Sequence, residues 1–74
     1  MIFGKKDPLV EELDELYVLM KSNLENNYKD NALNALKELE LKCEEYKDRI
    51  KEKDYKRISM LVSTYKDRLK DYHH

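Results

Sequence analysis

Few side chains in this sequence belong to types that carry chemistry. Cys43 is its single cysteine, and His73 and His74 are its only histidines. A reactive thiol needs exposure and nearby positive charge to lower its pKa, whereas Cys43 is followed by Glu44 and Glu45. The thiol therefore reads as a small apolar side chain. The histidines stand at the chain terminus, where fraying spoils the positioning that catalysis or metal ligation requires. Glu11 with Glu15, and Glu44 with Asp48, have the i,i+4 spacing that brings two carboxylates to one helix face. Di-metal helical bundles add Glu-x-x-His motifs to such pairs, and the sequence has none, so these read as a solvated acidic face. CxxC, HExxH, phosphate-loop and nucleophile-elbow patterns are also missing. The expectation is no catalytic residue, no cofactor, no metal and no small-molecule substrate.

The elements that would position these residues follow from composition. Of 74 residues, 42% are charged and 41% hydrophobic, and Gly4 and Pro8 are the single examples of their types. Residues 9 to 74 thus contain neither breaker, which excludes β architectures built on glycine- and proline-rich turns. Net charge is −1, which argues against a general polyanion binder. One cysteine cannot form an internal disulfide, so a reducing compartment is expected. No apolar run approaches the roughly 20 residues of a membrane span, and Met1-Ile2-Phe3-Gly4-Lys5-Lys6 lacks the apolar centre of a signal peptide. The expected location is the cytoplasm, with no membrane partner. Twelve lysines against three arginines fit an AT-rich bacterial or phage coding bias.

Three helices are expected, at about 8–25, 28–51 and 55–72, within one domain spanning 8–72, flanked by an extension at 1–7 and a frayed end at 73–74. Asp7 can accept bonds from the free amides of a first turn, and Pro8 suits the first helical position. Val10, Leu13, Tyr17, Met20 and Leu24 then fall on one stripe, widened by Leu9 and Leu16. Asparagines and serine at 22–27 favour a turn near Asn26-Asn27, with Asn27 or Asp30 capping the second helix. Ala32, Leu36, Leu39, Cys43, Tyr46 and Ile50 form the second stripe, ending near Ile50 or Lys51. Lys51 to Asp54 breaks the phase, with Asp54 as cap, and Tyr55, Ile58, Leu61, Val62, Tyr65, Leu69 and Tyr72 form the third. A single helix would extend roughly 100 Å with its seam exposed, so the expected fold is an all-α, up-down-up three-helix bundle. A long helical hairpin or oligomeric rod, with the second and third helices continuous, is the alternative.

Charge is distributed unevenly along the chain. Acidic residues outnumber basic ones eleven to four over 7–45, and basic outnumber acidic seven to four over 51–74. Glu11, Glu12, Asp14 and Glu15 crowd the first helix, while Lys56 and Arg57 stand at the start of the third, where the helix dipole disfavours them. In an up-down-up bundle these two helices run parallel, so the two misplacements offset each other across the bundle. The competing reading gives the acidic face, Glu11 and Glu15 above all, to a basic partner.

Partner binding is the remaining functional class. At about 100° per residue, Val18 lies opposite the first stripe, Leu41 opposite the second and Met60 off the third, pointing in different directions from a monomeric bundle. Phe3, with Ile2, offers a further anchor ahead of Lys5-Lys6. The segment Tyr28 to Leu41 resembles the second helix of a tetratricopeptide repeat over 14 residues, but the glycine of the first helix, the closing proline and the repeat itself are missing, so it names no family. The expected function is a non-enzymatic protein-protein interaction module, with regulator, inhibitor and accessory subunit as candidate roles. A self-assembling helical oligomer is the first alternative, so the partner is another protein or a second copy. Nucleic-acid binding through Lys56, Arg57 and Ser59 of a basic third helix is the second, weakened by Asp54, Asp67 and Asp71.

Overall fold

A computed structural model describes residues 7–70. They form three helices, α1 (Pro8–Glu25), α2 (Lys29–Glu45) and α3 (Glu52–Leu69), with no strand among the described residues. The chain is an all-α three-helix bundle. Tyr72, His73, His74 and Phe3, singled out from the sequence, lie outside the described residues.

α1 starts as its sequence demands. Asp7 is extended, its carboxylate accepts from the Leu9 N–H at 3.0 Å, and Pro8 opens the first turn. The helix ends through its asparagines. Asn27 has φ of 64°, the left-handed region that Asn tolerates better than most residues. The Tyr28 N–H then donates to the Asn23 carbonyl at 2.8 Å and the Asn27 N–H to the Leu24 carbonyl at 3.1 Å, the double closure of a Schellman motif. The Asn23 and Asn26 side chains donate to the Leu19 and Ser22 carbonyls, each at 2.9 Å. Asn27 therefore stops α1 and does not cap α2. The N-cap of α2 is Tyr28, without a side-chain bond, and Asp30 lies inside the first turn.

α2 stops at Glu45, five residues short of Ile50. The Tyr46 carbonyl accepts from both the Arg49 N–H (2.8 Å) and the Ile50 N–H (3.1 Å), coiling 46–50 into a tight corner. Tyr46 and Ile50 are both buried. Their spacing mimics a continuing helical stripe, yet they seal the corner between two helices. Lys51 is extended and α3 begins at Glu52, with no side-chain cap, so Asp54 sits in the first turn and does not cap. Glu52 and Asp54 there suit the positive end of the helix dipole. The corner separates α2 from α3, so the continuous rod is not formed.

α1 and α2 pack closely as an antiparallel pair, and α3 packs on α2 and more lightly on α1. Leu13, Met20, Ala32 and Leu39 are completely buried, with Ile58 and Leu69 nearly so. The core follows the three stripes except at Leu61, which is half-buried outside it; Ala35 is an addition, and Leu9, Leu16, Tyr17, Leu24, Tyr55 and Tyr65 are half-buried at its margins. Asp14 and Tyr17, one turn apart on α1, meet Arg57 and Tyr65 on α3. Glu44 and Glu40 of α2 meet Tyr55 and Lys66. Thus α3 runs parallel to α1 and antiparallel to α2, tilted across both. Among the described residues every buried side-chain nitrogen or oxygen has a hydrogen-bond partner.

Candidate protein-binding surface

The polar side chains that join the helices decide which surface remains available. Glu12 of α1 accepts from the Tyr46 hydroxyl at 3.0 Å and meets the Lys42 ammonium at 3.4 Å. Burial, followed by the Glu12 bond and charge, raises the Tyr46 phenol above its ordinary pKa, and the same carboxylate raises Lys42. On the other side of α1, Arg57 reaches Asp14 at 3.2 Å and Asp54 at 3.9 Å. This is the offset between acidic α1 and basic α3 that the charge distribution implied. Lys56 instead pairs within α3, with Glu52 at 3.2 Å. Glu11 and Glu15 are exposed and take no part in it.

Aromatic contacts tie α3 down in the same way. The Tyr55 hydroxyl donates to Glu44 at 2.8 Å, and Lys47 lies 5.7 Å from the Tyr55 ring centroid. Tyr17 and Tyr65 meet edge to face at 5.8 Å, with Arg68 5.5 Å from the Tyr65 ring. Hydrogen bonding to Tyr65, then burial, raises the Tyr17 phenol, and the Glu44 bond raises that of Tyr55. These tyrosines sit at core margins with their hydroxyls on carboxylates or on each other. Tyr28, at the α1–α2 turn, is exposed.

Cys43 faces the groove between α2 and α3, beside Glu40, Glu44, Ser59 and Lys66. Only 2% of it is exposed, and burial, followed by the charge of Glu44, raises its pKa. The thiolate is therefore disfavoured, and a thiol held neutral is a poor nucleophile. Among the described residues no three His, Cys, Asp or Glu side chains gather as a metal site requires. Nor is any described helix long and apolar enough to cross a membrane.

The large apolar residues that the core leaves outside are Val18 (61% exposed), Leu41 (67%) and Met60 (71%), with Leu19, Leu33 and Tyr28 less prominent. Val18 shares a shallow concavity with Glu11, Asp14 and Glu15 on α1. Leu41 lies on α2 and Met60 on α3. The described surface is thus made of charged helix faces interrupted by these apolar side chains. Sequence reasoning missed the Glu12 junction, whose members are 34 residues apart. Only the position of Tyr46 at the end of an apolar stripe could have pointed to it.

Fold and surface define a small all-α bundle with polar ties between its helices. No family model, curated protein or solved structure matches the chain.

Proposed function

We propose that the protein is a non-enzymatic interaction module that binds another protein through its outer helix faces, as a regulator, inhibitor or accessory subunit does. The observation that supports this reading is the exposure of Val18, Leu41 and Met60, each held on a rigid helix and surrounded by charge. An apolar anchor inside a polar rim is how protein interfaces distribute their energy. A cytoplasmic setting fits the single buried cysteine, and the lysine-rich composition fits a bacterial or phage source.

The nucleic-acid alternative draws less support. Lys56, Arg57, Lys66 and Lys70 of the basic segment each have a carboxylate within 4 Å, and phosphate binding would have to displace it. The test of the main reading changes Val18, Leu41 and Met60 to Asp singly and compares partners recovered by affinity purification and mass spectrometry. At least one variant is expected to lose a partner that the wild type retains. Identical recovery by all three variants would remove the proposed surface.

A further inference from the structure

The outward side of α1 carries a pattern that the bundle leaves unanswered. Glu12 turns toward α2, where it meets Lys42 at 3.4 Å, and Asp14 toward α3, where it meets Arg57 at 3.2 Å. At about 100° per residue, Val18, Glu11 and Glu15 fall within about 60° of one another on the arc between those two, facing away from both helices. All three are exposed, and with Asp14 they line one shallow concavity. Glu11 and Glu15 repel along the helix, and the ion pairs among the described residues include neither. The face is therefore complementary to two positive charges followed by an apolar side chain.

The sequence holds that chemistry beside the face. Directly before Asp7, the N-cap of α1, stand Ile2-Phe3-Gly4-Lys5-Lys6, which lie outside the described residues. The position preceding an N-cap commonly packs against the fourth helical position, as an apolar staple. In this chain those two positions are Lys6 and Glu11, so the staple becomes an ion pair. Lengths agree from that point on. Glu15 is about 6 Å and Val18 about 10 Å farther along α1 than Glu11. An extended chain covers about 3.3–3.6 Å per residue, so a segment running back along α1 from Lys6 brings Lys5 within side-chain reach of Glu15 and Phe3 level with Val18. Successive side chains of such a segment alternate in direction, so one of Ile2 and Phe3 meets Val18.

We propose that residues 2–6 dock as a strap along the outward face of α1, with Lys6 on Glu11, Lys5 on Glu15 and the Ile2-Phe3 pair over Val18. Each exposed ion pair is weak by itself. Attachment to the end of the same helix, however, presents the strap at an effective concentration in the millimolar range, so weak contacts suffice to seat it. High salt loosens it. The strap covers Val18 and competes there with a protein partner. That competition rests on the interaction-module reading, whereas the docking stands on α1 and residues 2–6 alone.

NMR on the full chain at low ionic strength tests the docking. Phe3 is the single phenylalanine, so its ring protons can be told from those of the tyrosines. Nuclear Overhauser contacts from Phe3 or Ile2 to the Val18 methyls are expected. Lys5→Glu with Lys6→Glu is expected to abolish them, and adding Glu11→Lys with Glu15→Lys to that variant is expected to restore them, since opposite signs again face each other. Circular dichroism verifies that both variants fold. Deleting residues 2–6 is expected to shift the Val18 methyl resonances and leave those of Leu41 and Met60 in place. Absence of any contact from residues 2–6 to α1 overturns the proposal, as do contacts indifferent to the charge reversals. Contacts found only between labelled and unlabelled chains in a mixed sample give the segment to a second copy, and overturn it as well. If the contacts form but Val18→Asp changes no recovered partner, the strap stands and its competition with a partner falls.

Discussion

Replacing Tyr46 by Phe removes one hydroxyl and leaves a buried ring in place, which isolates the bond that pins the α2–α3 corner to α1. A hydrogen bond to a charged group contributes about 1.5–3 kcal/mol. Here 41% of the Glu12 side chain is exposed, so solvent screening brings the expected cost down to about 1 kcal/mol. Glu12→Ala loses that bond and the Lys42 pair, about 1–2 kcal/mol together. Once Glu12 is gone the hydroxyl has no acceptor to lose, so the double variant should be about as stable as Glu12→Ala alone. The coupling energy is then about 1 kcal/mol. Total stability of a chain this size is about 4–11 kcal/mol, and 1 kcal/mol shifts the melting temperature by about 4–8 °C. Urea and thermal unfolding followed by circular dichroism on the four proteins measure the cycle. Strictly additive effects, with coupling below about 0.3 kcal/mol, would show that Glu12 does not hold Tyr46.

Two further outcomes follow from local chemistry. Asn27→Val forces a β-branched residue into the left-handed region at φ of 64° and should cost about 1–2 kcal/mol, whereas Asn27→Gly should stay within about 0.5 kcal/mol of wild type; equal unfolding midpoints for the two would contradict the assigned turn. Cys43, Tyr17, Tyr46 and Tyr55 all titrate above their ordinary values of 9.0 for the thiol and 10.0 for the phenols. A raised acid holds its proton longer when folded, so its contribution is complete below the ordinary value and disappears as pH rises through the folded one. The melting temperature should therefore hold steady to about pH 9 and fall above it; full phenolate formation in a chain that keeps its helices and its melting temperature would refute this linkage.

What the sequence disclosed about the fold was mostly what local chemistry decides. Asp7 and Pro8 set the start of α1, and three apolar stripes located the core, because cap and periodicity are properties of neighbouring residues. The asparagines marked the first turn, but their number hid which one adopts positive φ, so Asn27 passed for the cap of a helix that it precedes by two residues. The second corner was hidden for a different reason. Tyr46 and Ile50 keep helical spacing and no glycine or proline interrupts them, so their pattern does not distinguish a corner from another turn of α2. The exposure of Val18, Leu41 and Met60 followed from rotation about single helices. The Glu12 junction depends instead on how α1 packs against the end of α2, and joins segments 34 residues apart.

The unequal packing of the helices also orders events in time. α1 and α2 are joined by a short turn with its own hydrogen bonds and form the tightest pair in the bundle. Their contacts are close in sequence, and low contact order makes such a hairpin the fastest part of the chain to form. α3 docks through fewer contacts, with Ile58, Val62 and Leu69 as its buried anchors. A ribosome releases the chain in that same order, so the hairpin can close before α3 emerges. Direction of synthesis and hierarchy of packing coincide, and the hydrophobic face left open by the hairpin waits only for the next segment of its own chain.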